Sequence, residues 1–114
     1  MSEPDYMKEE YSDEVDRLRR NRVNLSYHKY GPVKKNYETG NMQAIPSMER
    51  CVKKYQDTGN TEYLLDAMNY LMFEFMYPQV KGAYFRATES HESAGYVGLS
   101  INEAKEFMER NKME

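Results

Sequence analysis

Apolar positions thicken along the chain from a sparse start to one crowded segment, a gradient that predicts helices arranged around a single apolar element. Residues 1 to 11 carry Pro4 and several acids with no sustained apolar period, which predicts an acidic N-terminal arm, and residues 12 to 114 are read as one helical domain. Ser12 is placed to cap a first helix. The apolar stripe of that helix, Val15 and Leu18 with Tyr11 and Val23 near its ends, is narrow enough to predict a peripheral position. The stretch from Leu25 to Gly40 holds Gly31-Pro32 and Thr39-Gly40, two breaks in helical continuation, and reads as an ordered connector. A second helix begins near Met42 or Pro46, where Met48, Cys51, Val52 and Tyr55 fall at i, i+3, i+4 and i+7 of one face. Gly59 is placed to end it in the left-handed backbone conformation, and Asn60 or Thr61 to cap the next helix.

That next segment, 61 to 77, is apolar around most of its circumference, with Glu62, Asp66 and Asn69 as its continuous polar strip. Such a helix belongs in the middle of the fold. Toward its end Leu71, Met72, Phe73, Phe75, Met76 and Tyr77 surround one acid, Glu74. This is more apolar surface than one short chain readily covers, so these side chains are candidate interface residues, meeting a second copy of the chain or a foreign protein. Glu74 either sits exposed at a rim or needs a cationic partner, for which Arg86 or a base of the connector is available. Pro78 ends the helix, and 79 to 99 predict a long ordered loop with room for short extended pieces at 83 to 87 and 95 to 98. Ser100 and Glu103 form a capping-box pattern opening a last helix, with Ile101, Ala104, Phe107 and Met108 as its stripe. The expected fold class is therefore mainly α, about four helices around the central segment.

Composition narrows the setting. The 114 residues are 39% hydrophobic and contain no apolar run near membrane-spanning length, so no membrane association is expected. The acidic start does not resemble a secretory signal, which predicts a cytoplasmic protein. One cysteine and two histidines leave no internal disulfide and no ordinary structural zinc site, and no cofactor is expected. The net charge of -3 conceals a separation: seven acids and Lys8 lie between Glu3 and Asp16, then seven bases and no acid between Arg17 and Tyr37. That basic block, interleaved with Tyr27, His28, Tyr30 and Tyr37, suits phosphates and stacked bases. It equally suits a helix C-terminus compensated by the acids beside it.

The densest candidate chemistry lies in the loop Arg86-Ala-Thr-Glu-Ser-His-Glu-Ser-Ala-Gly95. Arg86 offers a fork for phosphate or carboxylate, and Thr88, Ser90, His91 and Ser93 could complete a cradle, joined by Lys34 and Lys35 of the connector. The competing reading has the hydroxyls capping local turns and Arg86 pairing with Glu89 or Glu92. Neighbours in one loop do not converge as a catalytic triad must, so no catalytic residue is assigned. No metal site is assigned either, and no Walker loop or dinucleotide fingerprint occurs. Cys51 falls on an apolar stripe and reads as packing.

The runs Lys29-Tyr-Gly-Pro-Val33, Asn36-Tyr-Glu-Thr-Gly40, Thr58-Gly-Asn-Thr-Glu-Tyr-Leu-Leu65, Phe73-Glu-Phe-Met-Tyr-Pro78 and Arg86 to Gly95 resemble a family of small proteins encoded by phages and prophages of Gram-positive bacteria. The resemblance implies an accessory protein made in an infected bacterial cytoplasm and brings no functional residues with it. It favours stoichiometric binding over catalysis. The expected function is counter-defence by sequestering an anionic, nucleotide-type ligand, with the expected partner a second copy joined through the central helix in a homo-oligomer. The alternatives are an inhibitor docked on a host nuclease or defence effector, in the manner of an anti-CRISPR protein, and a nucleic-acid-binding accessory factor.

Overall fold

The structure, a computed structural model, describes residues 3 to 92 with Ala94 and Gly95. The expected last helix and the candidate residue Ser93 lie outside the described residues. The chain separates into two compact units, Met1–Lys81 and Gly82–Glu114. The described residues are mainly helical and include no strand.

In the first unit a short helix α1 (Met7–Glu10) lies within the acidic arm, followed by α2 (Asp13–Tyr30), α3 (Val33–Glu38), α4 (Ala44–Thr58) and α5 (Glu62–Met76). Ser12 caps α2 as expected, its Oγ accepting from the Val15 N–H at 3.1 Å. Asp13, Glu14 and Asp16 occupy the first turn, and His28 and Lys29 the last, complementing the helix dipole at both ends. None of its residues is buried, in keeping with a peripheral place.

The connector expectation is corrected: Leu25 to Tyr30 continue α2, and Val33 to Glu38 form α3. Extending an existing helix fixes one residue per added hydrogen bond, whereas nucleation fixes several, and residues 23 to 30 contain no glycine or proline to stop it. The break comes at Gly31, whose φ of 80° is readily available to glycine and whose N–H bonds Tyr27 O at 2.9 Å. Asn36 Nδ2 then donates to Tyr30 O at 3.1 Å, tying α3 to the end of α2.

Pro46 lies in the first turn of α4, where its missing N–H costs no helical bond. Met48, Cys51, Val52 and Tyr55 are all half-buried, matching the predicted stripe. Gly59 ends α4 in the left-handed conformation, and the Asn60 side chain accepts from the Glu62 N–H at 3.0 Å at the start of α5. Helix α5 packs chiefly on α4 and secondarily on α2, the central role its apolar circumference requires. Ala44, Ala67 and Phe73 are buried apolar residues of this unit, and Asn69 is buried among them.

The second unit contains a single turn of 3-10 helix, Ser90–Glu92, among its described residues. Residues 83 to 87, where a short extended piece had room to form, belong to no strand, and the other such piece lies outside the described residues from 96 to 98.

Candidate functional site

The site grows from the polar strip on α5. Glu62, Asp66 and Asn69 recur at i, i+4 and i+7, so they share one helical face, and Arg19 and Arg22 recur at i and i+3 on α2. Arg22 grips Asp66 as a fork, Nε to Oδ1 and Nη2 to Oδ2 both at 3.1 Å, while its Nη1 lies 2.9 Å from Glu62 Oε1. Hydrogen bonding to Asp66 raises the Arg22 guanidinium above its usual value. Arg19 Nε donates to Asn69 Oδ1 at 3.2 Å, and Asn69 Nδ2 returns a bond to Arg19 O at 3.1 Å. Asn69 is 5% exposed, so this reciprocal pair satisfies a polar group that would be costly to bury alone. Arg19 Nη2 also reaches Met72 Sδ at 3.5 Å.

These bonds change the meaning of the basic block. Arg17 pairs with Glu14, Arg19 with Asp16 and Asn69, and Arg22 with Glu62 and Asp66. Among the described residues Arg20, Lys29, Lys34 and Lys35 have no ion-pair partner. Two of the block's seven bases, Arg19 and Arg22, thus clamp α2 to α5.

Beyond the clamp, α2 continues past α5 and turns into α3, leaving a groove of about 210 Å³. Its apolar and aromatic lining includes Val23, Tyr30, Val33, Met42, Tyr70 and Phe73. Arg22, Asp66 and Asn69 contribute the polar wall already engaged in the clamp, and Ser26 and Lys29 also line it, Lys29 without an ion-pair partner among the described residues. Burial pushes the Tyr70 phenol up, and its ring meets Phe73 edge-on at 6.4 Å between centroids. A ring-lined recess holding a cation that is unpaired among the described residues has the chemistry to hold a small aromatic anion.

Glu74 resolves differently from either sequence reading. Its Oε2 accepts from the Gln79 N–H at 2.7 Å, just past the helix end that Pro78 enforces, while its buried Oε1 has no hydrogen-bond partner. Among the described residues it has no ion-pair partner. Tyr37 stands nearby on α3 beside Tyr77, at 6.1 Å between ring centroids. Desolvation, then the Glu74 charge, push the Tyr37 phenol up to about 12, and its hydroxyl is likewise buried and unpartnered.

The predicted ligand residues divide between the units. Lys34 and Lys35 lie exposed on α3 in the first unit and do not line the groove. In the second, Arg86 Nη2 donates to Glu92 Oε2 at 2.7 Å and Nη1 to Ala87 O at 3.3 Å. The Glu89 N–H closes the same turn on Glu92 Oε1 at 3.2 Å, and Arg86, then this N–H, hold the Glu92 carboxyl below its ordinary value. Thr88 and His91 are exposed, and Ser90 opens the 3-10 turn. Arg86 is therefore engaged in its own loop.

The candidate interface also divides. Phe73 is corrected: at 7% exposure it is packed inside its own chain and lines the groove, because it shares the α5 face of Asp66 and Asn69. Met72 lies half-buried beneath Arg19, and Tyr77 half-buried beside Tyr37. Leu71, Phe75 and Met76 are exposed. Cys51 is half-buried and its thiol is pushed up, chiefly by burial, as a packing residue's would be.

Sequence reasoning missed the groove and its Lys29, but the clamp had a signal: the strip on α5 and the arginines on α2 have matching helical spacing and opposite charge. No helix among the described residues is long and apolar enough to cross a membrane, and no cluster of three or more metal-ligating side chains occurs among them. No protein-family model, curated protein or solved structure matches the chain.

Proposed function

We propose that the protein acts by stoichiometric binding, holding a small anionic, ring-bearing ligand of the nucleotide type in the groove between α2, α3 and α5. The supporting observation is Lys29, a cation without an ion-pair partner among the described residues, in a recess also lined by Tyr30 and Tyr70. Charge fixes the anionic end of such a ligand and the rings offer faces to the rest, a combination suited to sequestration without any nucleophile. With the phage-like wording of the sequence, this reading places the protein in a host cytoplasm, withdrawing a signal from a defence pathway. Compared with the sequence-based expectation, the site moves from the Arg86 loop to the groove, since Arg86 is engaged by Glu92.

Native mass spectrometry of the purified protein, followed by thermal denaturation with added nucleotides, tests the reading. Binding to the folded state raises the melting temperature by mass action. A flat melting temperature across nucleotides at millimolar concentration refutes it.

Self-association is a second reading, favoured by Leu71 and Met76, which are 46% and 53% exposed on the central helix. The same mass spectrum reports copy number, and a monomer at high concentration removes it. The nucleic-acid reading has less support, because Arg17, Arg19 and Arg22 already pair with acids of their own chain.

A further inference from the structure

Accepting the groove as the binding site, its size and charge narrow the ligand further. Ligand pockets usually enclose ~300–1,000 Å³. At about 210 Å³ this one lies below that range, with space for one ring system and a short substituent. A cyclic dinucleotide would leave one of its bases outside it.

The charge inventory gives an independent limit. A di- or triphosphate needs several donors or a metal ion to offset its charge. Arg22 lines the groove, but its guanidinium is held on one side by the Asp66 carboxylate and on another by Glu62. With two carboxylates on one guanidinium, this group carries a net negative charge, so added phosphates gain no attraction from it. Asn69 is no more available, since its amide is bonded to Arg19 through both oxygen and nitrogen. Lys29 remains for an anion, and the Ser26 hydroxyl for one further hydrogen bond. Lys34 and Lys35, which could neutralise a longer phosphate chain, do not line the recess.

We infer that the groove takes a single aromatic ring system carrying one anionic group, and discriminates against polyphosphates and dinucleotides. Lys29 binds the anion, and the aromatic lining takes the ring.

Isothermal titration of the full chain with adenosine, AMP and ATP separates this inference from the reading beneath it. AMP should bind about tenfold or more tighter than adenosine, the gain expected of a charge-assisted contact. ATP should bind no tighter than AMP. Lys29→Gln should erase the advantage of AMP over adenosine, while Lys34→Gln leaves it intact, with helix content checked by circular dichroism in both. ATP binding tenfold tighter than AMP overturns the one-anion inference but leaves the groove as the site, provided Lys29→Gln still weakens it. Unchanged AMP affinity in Lys29→Gln overturns the assignment of Lys29. Failure of all three compounds to bind at millimolar concentration removes the proposed function itself.

Discussion

Helix α5 is held on its two flanks by opposite chemistry. Toward α4 it meets a half-buried stripe of Met48, Cys51, Val52 and Tyr55, an apolar seam that depends on area and tolerates small displacements. Toward α2 it meets Arg19 and Arg22, whose forks accept only one placement of Asp66 and Asn69. The apolar seam contributes cohesion and the polar seam sets register. Because the polar seam clamps α2 only as far as Arg22, the rest of that helix is left to frame the recess with α3.

The sharpest way to break this arrangement is at Phe73, which is buried and also lines the groove. Phe73→Ala should cost about 3 kcal/mol by loss of buried area and creation of a void, read as a lowered urea midpoint. Ligand affinity should fall with it. An unchanged midpoint would show that the unit does not rest on this side chain.

Next in size is the polar seam. Asp66→Ala strips Arg22 of its bidentate partner but leaves Glu62, so a loss of about 1–3 kcal/mol is expected. Amide exchange should speed up in α2 more than in α4. A double-mutant cycle of Arg22→Ala with Asp66→Ala should show coupling, and strict additivity would mean that the fork does not set register.

The smallest effect should be of the opposite sign. Tyr37 buries a hydroxyl with no partner, so Tyr37→Phe should leave stability unchanged or raise it by up to about 1 kcal/mol. The native phenol holds its proton up to about 12 against an ordinary value of 10.0, so the folded state binds more protons than the unfolded state between those values. That contribution is fully present below pH 10 and is lost as pH rises toward 12. Urea midpoints measured across this alkaline window should therefore fall less steeply in Tyr37→Phe than in the parent. Identical slopes would contradict the burial of this hydroxyl.

What could be read from the sequence was local. Ser12, Asn60 and Gly59 act on backbone groups within a few residues, so their neighbours suffice to identify them. The crowding of apolar residues in 61 to 77 likewise identified the central helix, since no exposed helix carries so little polar surface. The groove was hidden because it depends on two facts of tertiary placement: that α2 runs on to Tyr30, and that α3 folds back near Met42. Glu74 is an intermediate case. Its surroundings showed that a carboxylate would need help, but the donor is a backbone N–H from Gln79, and no side-chain pattern advertises that. Arg86 was legible in two ways, as an anion fork or as a partner of Glu89 or Glu92, and the turn that brings Glu92 within reach six positions on decides for the second.

The corner at Gly31 sets the rim of the recess. Its φ of 80° with ψ of −168° is the mirror image of the extended backbone natural to an L-amino acid. A chemically synthesised chain with D-alanine at that corner would therefore have its geometry built in before folding, and would turn a flexible joint into a rigid bracket.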